Sequence, residues 1–242
     1  MAIDRIALVT GANKDIGFEI AKQLSEAGVT VLLGARDQQR GQAAVERLSA
    51  RGLHVLLLSL DTRDEKSIVA AAARIKADFG RLDILVNNVG IWDKADGVPS
   101  TASLADVRHT METNFFGTLA VTQAMLPLLY KSQAGRIVNM SSMLGSLACN
   151  GDSSSPFYSA QFIGYNASKA ALNMLTIQLA QELRNTKIVV NSVCPGFVKT
   201  DLSGNRGDLL PADAAKVPVR YALLGHDAVS GHFIDKDGEV RW

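Results

Sequence analysis

Tyr165 and Lys169 stand four positions apart in Tyr165-Asn166-Ala167-Ser168-Lys169. On a helix that spacing puts a phenol and an ammonium on one face. A tyrosine of ordinary pKa, about 10, is a poor acid–base group at neutral pH. A neighbouring cation favours the phenolate and brings the group towards a working range. Tyr-x-x-x-Lys recurs by chance in many chains. Here it follows a strand-like run, Arg136 to Met140, that ends in Ser141-Ser142.

A second set of residues lies near the start of the chain, in Thr10-Gly11-Ala12-Asn13-Lys14-Asp15-Ile16-Gly17. Gly11 lets the backbone turn sharply, and Gly17 lets a helix approach a strand. The helix N-terminus then offers free amides and a partial positive charge to a pyrophosphate. Two glycines in a turn are weak; their place in the first strand–helix junction gives them weight. About twenty residues on, a dinucleotide site places an acid for the ribose of NAD, or an Arg for the 2′-phosphate of NADP. The chain has Leu33-Gly34-Ala35-Arg36-Asp37 there. Ala35 fills the strand-end slot, Arg36 adjoins it, and Lys14 can reach the same phosphate. Two cations favour NADP(H) over NAD(H), and Asp37 reads as a helix cap that points elsewhere.

The elements that must position these groups follow from periodicity. Strands are expected at Arg5–Thr10, Val29–Leu33, Leu53–Leu60, Leu82–Val86, Arg136–Met140, Ile188–Val193 and, shorter, Gly231–Ile234. Helices are expected at Ile16–Ala27, from Asp37 to Gly52, at Asp64–Phe79, at Leu104–Leu129 with an interruption near Pro127, and at Tyr165–Leu183. Apolar strands joined by helical crossovers imply a parallel sheet covered on both faces. The expectation is one doubly wound, Rossmann-type α/β domain over residues 1–242, with about seven strands. The Ser-rich stretch Gly151 to Pro156 reads as a surface loop.

Composition removes other classes. The 242 residues are 47% hydrophobic and 20% charged, with 25 Lys and Arg against 24 Asp and Glu. Disorder is excluded, and a net charge of +1 draws the chain to neither nucleic acid nor anionic membrane. The longest near-apolar run, Leu53 to Leu60, is far short of the roughly 20 residues that a span needs. Met1-Ala2-Ile3-Asp4-Arg5 leads straight into a strand, with no signal-peptide pattern. Cys149 and Cys194 make no disulfide framework, so a reducing, cytoplasmic setting is expected. His54, His109, His226 and His232 show no metal-ligand spacing, and no metal site is expected.

Taken in order, Thr10-Gly11-x-x-x-x-x-Gly17, Asp61, Asn87-Asn88-Val89-Gly90, Asn114, Ser142, Tyr165-x-x-x-Lys169 and Pro195-Gly196 resemble the short-chain dehydrogenases/reductases over essentially the whole chain. Gly11-Ala12-Asn13-Lys14 and Gly34-Ala35-Arg36-Asp37 look like the carbonyl-reductase branch. The resemblance implies NADP(H)-dependent transfer of a hydride between nicotinamide and a ketone, aldehyde or alcohol. It implies Tyr165 as general acid, Ser142 as hydrogen-bond donor to the carbonyl oxygen, and Lys169 on the nicotinamide ribose, lowering the tyrosine pKa. Asn114 would hold a water that passes protons to Lys169. Implied cofactor contacts are Gly11, Asn13, Lys14, Ile16, Gly17, Arg36, Asp61, Asn88, Gly90, Tyr165, Lys169, Pro195, Gly196, Val198 and Thr200. Ser141 is the rival for the serine role. Substrate identity and oligomeric state stay open, and family members occur both as monomers and as oligomers.

Three departures stand out. Asp15 takes the place of the family's middle glycine, and Val89 that of the usual alanine. Ser142 and Tyr165 are 23 positions apart, farther than in compact members. The extra stretch, Cys149 to Phe157, is either a passive loop or a pocket wall with Phe157 as its apolar contact. The loop from Asp201 to Leu210 would cover the pocket. Two rival readings are the same chemistry with NAD(H) and a cofactor-sensing binding protein without turnover, which Asp15 alone favours.

Overall fold

The computed structural model describes residues 5–225 and 228–242. The readings of Met1 to Asp4 and of His226 lie outside the described residues. Seven parallel strands form one sheet in the order β3-β2-β1-β4-β5-β6-β7. They are β1 (Ile6–Thr10), β2 (Thr30–Ala35), β3 (Val55–Ser59), β4 (Ile84–Asn87), β5 (Arg136–Met140), β6 (Val189–Val193) and β7 (Phe233–Ile234). The helices are α1 (Asp15–Glu26), α2 (Gln38–Ser49), α3 (Glu65–Phe79), α4 (Leu104–Met111), α5 (Gly117–Leu129), α6 (Leu147–Gly151), α7 (Ile163–Glu182), α8 (Pro211–Ala214) and α9 (Lys216–Ala222).

Strand residues alternate between two cores. Ala7 and Val9 of β1 pack with Phe18, Ile20 and Leu24 of α1, Leu48 of α2 and Val219 of α9. Ile6 and Leu8 face the other way, onto Ile68 and Ile75 of α3, Met125 of α5 and Leu172 of α7. The sheet is thus covered on both faces, as the apolar runs imply. Asp37 and Asp64 cap α2 and α3 by accepting from the Arg40 and Lys66 amides, both at 3.0 Å.

The long central helix departs from expectation at a different residue. It does not break near Pro127, which lies inside α5. The backbone carbonyl that Pro127 leaves without a helical partner belongs to Gln123, an exposed residue that water can satisfy. The irregularity is a π-helical turn, Glu112–Phe116, between α4 and α5, and it carries Asn114. Short π segments of this kind gather at functional sites.

Strand order reverses between β1 and β4, each of which pairs with the other. Their carboxyl ends open the crevice in which open α/β sheets bind ligands. Thr10 stitches its rim, its hydroxyl accepting from the Asn88 amide at 2.9 Å and the Val89 amide at 3.2 Å. Among the described residues no helix is long and apolar enough to cross a membrane.

Candidate active site

A cleft of about 830 Å³ runs along the carboxyl ends of β1, β2, β4, β5 and β6. Every implied site residue except Asn114 lines it: Gly11, Asn13, Lys14, Ile16, Gly17, Arg36, Asp61, Asn88, Gly90, Ser142, Tyr165, Lys169, Pro195, Gly196, Val198 and Thr200. Arg36, Arg40 and Arg63 stand at one end, and Ser142, Tyr165 and Lys169 at the other.

The glycine turn leaves no room for side chains. Gly11 has φ 62°, and a Cβ on it would meet Val89 Cγ2 at 2.9 Å. A Cβ on Gly17 would lie 2.5 Å from Asn88 Nδ2 and 2.6 Å from the Gly11 carbonyl oxygen. Asn88 Nδ2 donates to the Thr10 and Gly11 carbonyls at 2.9 and 3.3 Å, so its amide braces the turn. Asp15, at φ 51°, has the left-handed backbone that favours glycine. Its carboxylate lies 3.8 Å from Lys14 Nζ and accepts from the Asp201 amide at 3.4 Å. Burial raises the pKa of that carboxyl above the usual range. Lys14 donates to the Asp201 carboxylate, so the turn is tied to the loop that follows Thr200.

At the far end, Tyr165 stands half-buried in the first turn of α7. Burial pushes its phenol up to about 12, against the opposing pull of a hydrogen bond with Ser142. Lys169 is 4% exposed, and burial pulls its ammonium down to about 8. It donates to the Met140 carbonyl at 2.7 Å and sits 5.7 Å from the centre of the Tyr165 ring. Loss of water around the phenol thus sets the direction of its shift, opposite to the lowering expected from Lys169. Tyr165 carries its proton at neutral pH. The serine pair divides cleanly: Ser141 turns inward to donate to Asn173 Oδ1 at 2.6 Å, whereas Ser142 faces the cleft and the phenol.

Asn114 is fully buried behind this set. Its side chain accepts from the Ile91 amide at 2.8 Å and donates to the Ile91 carbonyl and to Ser168 Oγ, both at 2.9 Å. It ties the loop after β4 to α7. A Cβ on Gly90 would lie 3.3 Å from Lys169 Nζ and 3.7 Å from Asn114 Oδ1, so both atoms face the space that glycine leaves open.

Residues that sequence reasoning passed over complete the wall. Trp92, just after the Asn87-Asn88-Val89-Gly90 motif, packs edge-on against Phe162 at 4.9 Å between ring centres, and both line the cleft. Phe157 is not among the lining residues. Its amide accepts no role there either, donating to Ser155 Oγ at 3.2 Å within a run of turns. His109 lines the cationic end, 3.2 Å from Arg63 Nη1. Cys149 and Cys194 are both free thiols. Among the described residues no cluster of His, Cys, Asp or Glu could hold a metal ion.

A doubly wound parallel sheet, a glycine turn at its switch point and a Tyr–Ser–Lys set lining the end of one continuous cleft define an α/β oxidoreductase. The family model described as short chain dehydrogenase matches residues 5–209, and the chain belongs to the short-chain dehydrogenase family. It is 36% identical to carbonyl reductase [NADPH] 1 of Bos taurus, with 98% of each chain covered. It is 34% identical to (+)-neomenthol dehydrogenase of Capsicum annuum, with 95% of each covered. Both alignments, over 275 and 300 positions, exceed the 242 residues of this chain, so each relative carries segments that it lacks. Among solved structures, NADPH-bound carbonyl reductase from chicken fatty liver superimposes with a TM-score of 0.86 at 28% identity, covering 99% of this chain and 94% of that one.

Proposed function

We propose that this protein is an NADPH-dependent reductase acting on a ketone or aldehyde, with Tyr165 as the general acid. The observation that carries the reading is the continuity of the cleft, which joins a cluster of guanidinium groups to a protonated phenol on its wall. The closed packing around Gly11 and Gly17 fits a pyrophosphate against the α1 N-terminus, where backbone can approach it but a side chain cannot. Arg36 and Lys14 suit the 2′-phosphate of NADP(H); Asp37 does not point elsewhere as expected but also lines the cleft, with one carboxylate oxygen engaged by the Arg40 amide as a cap. The chicken structure and the bovine relative, both named for NADPH, agree with this choice.

The cofactor, when bound, supplies the hydride. The protein's own residues hold the carbonyl and supply the proton. Ser142 and Tyr165 converge on one point, where a carbonyl oxygen accepts from both hydroxyls. As charge develops on that oxygen, Tyr165 gives up its proton. Lys169, with Asn114 behind it, faces the open space at Gly90, where ribose hydroxyls and a water fit. Val198 and Thr200, after Pro195-Gly196, line the side that a carboxamide would reach. The apolar wall of Trp92 and Phe162 receives the substrate's hydrocarbon part. The free thiols accord with a cytoplasmic setting, which localisation of the tagged protein tests.

The decisive experiment incubates the protein with NADPH or NADH and a panel of cyclic, aryl and aliphatic ketones while following absorbance of the reduced nicotinamide. Turnover with NADPH well above NADH supports the reading. Tight NADPH binding without turnover on any ketone would favour a cofactor-sensing protein instead.

A further inference from the structure

The helix that carries Tyr165 has no cap of its own. Phe162 occupies the position before α7 and offers no side-chain acceptor. The first turn of a helix leaves its leading amides without internal partners, and an uncapped turn frays. Tyr165 lies within that first turn, so fraying would displace the phenol itself.

All three leading amides of α7 are nevertheless satisfied, by two consecutive residues of the loop after β4. The Ile163 amide donates to the Gly97 carbonyl at 3.0 Å. The Gly164 amide donates to Asp96 Oδ1 at 3.0 Å, and the Tyr165 amide to Asp96 Oδ2 at 2.8 Å. Helical pairing begins only with the next residue, as the Asn166 amide reaches the Phe162 carbonyl at 2.8 Å. The contact is close: a Cβ on Gly164 would lie 3.2 Å from Asp96 Oδ2 and 3.3 Å from Val107 Cα.

The loop that presents the carboxylate is itself built. Its residue Asp93 accepts from the Ala95 amide at 2.9 Å and from the Asp96 amide, through its carbonyl, at 3.0 Å. The Gly97 amide donates back to Asp96 Oδ1 at 2.9 Å, fixing the carboxylate's orientation. The Trp92–Phe162 ring pair clamps the loop to the residue before the helix.

We infer that Asp96 is a positioning residue for the acid: it caps the catalytic helix from a separate crossover and thereby holds Tyr165 against Ser142. The inference rests on the reading of Tyr165 as general acid. Asp96 is not among the residues that line the cleft. A carboxylate suits the task because it accepts two amides with two oxygens and complements the positive end of the helix.

The test compares wild type, Asp96→Ala and Asp96→Asn. Asp96→Ala should lower kcat about ten- to hundredfold, the scale on which small displacements in a site act. Its Kd for NADPH should stay within about twofold of wild type, because the cap lies outside the glycine turn. Asp96→Asn keeps one carbonyl acceptor and should restore most of the loss. Hydrogen exchange at the Ile163 to Tyr165 amides should quicken in Asp96→Ala and much less in Asp96→Asn, a readout that needs no turnover. Wild-type exchange rates in Asp96→Ala would overturn the inference, as would an unchanged kcat. Equal losses of kcat and NADPH affinity would overturn it too, by making Asp96 a general structural residue. A wild type that turns over no ketone, with the exchange pattern as expected, would sink the reductase reading and leave the cap standing.

Discussion

Tyr165 holds its proton because burial, more than any neighbour, sets its acidity, up to about 12. A group in that state is ready to donate, and reduction is the direction that needs a donor. Tyr165→Phe should cost about 10²–10⁴-fold in turnover, the range of a general acid, with NADPH affinity nearly unchanged. A variant that kept a tenth of wild-type activity would remove the assignment. The pH dependence follows from Lys169, whose ammonium titrates at about 8. Below that value it is charged and can donate to ribose hydroxyls; above it, one donor and the positive charge are lost. The reduction rate should therefore fall as pH rises through about 8, while Tyr165 remains protonated throughout that range. A flat rate profile across it would count against Lys169 as a cofactor ligand. Four-residue helical spacing and a strand end, both local facts, pointed to Tyr165, Lys169 and the pair Ser141-Ser142, and the ordered family motifs favoured Ser142 within that pair. Trp92, Phe162 and Asp96 were not legible, since each acts through a partner dozens of residues away.

Glycine turns show what an element contributes beyond its side chains. Gly17 sits in α1, yet its Cβ position is claimed by Asn88 Nδ2 and the Gly11 carbonyl from two other segments. Gly17→Ala should weaken NADPH binding and lower Tm together, because the turn and the Asn88 brace shift as one unit. Calorimetry and a fluorescence titration would show this; loss of affinity with an unchanged Tm would mean that the brace is loose. Strands and the longer helices were readable from apolar periodicity, and Asp37 from cap chemistry. The π turn at Glu112–Phe116 had no sequence signal. It carries Asn114, whose partners Ile91 and Ser168 lie on other segments of the chain. Pro127, the local signal for a break, is tolerated because the only carbonyl it strands is at the surface.

Across the whole molecule, the proposed 2′-phosphate contacts and the proposed acid lie at opposite ends of one cleft, so substitutions at the two ends should separate. Arg36→Ala should weaken NADPH by a few kcal/mol, on the scale of hydrogen bonds to a charged group, and leave NADH almost untouched. Parallel titrations with both nucleotides decide it, and equal losses would place Arg36 away from the 2′-phosphate. Elsewhere the ends of the sheet differ in kind. At the amino ends of β5 and β1, buried Arg136 donates to the Leu224 and Gly225 carbonyls at 3.0 and 2.6 Å, while Asp83 accepts from the Ile6 amide at 2.9 Å. These groups close the molecule; those at the carboxyl ends leave it open to a ligand.

The bridge from Lys14 to Asp201 has a consequence for how such a cleft fills. One ammonium serves two anions: the carboxylate it holds now and the phosphate proposed to arrive. The protein thus brings its own competitor to the binding equilibrium, and apparent affinity reports an exchange of partners rather than the capture of a free cation. Neutralising the competitor should help the nucleotide that carries a 2′-phosphate and be indifferent to the one that does not. Asp201→Asn should tighten NADPH by up to about fivefold at low salt, the scale of an exposed ion pair. The gain should shrink as added salt screens both rivals. Titrations at two ionic strengths read it directly, and a gain shared equally by NADH would show that Lys14 never leaves its carboxylate.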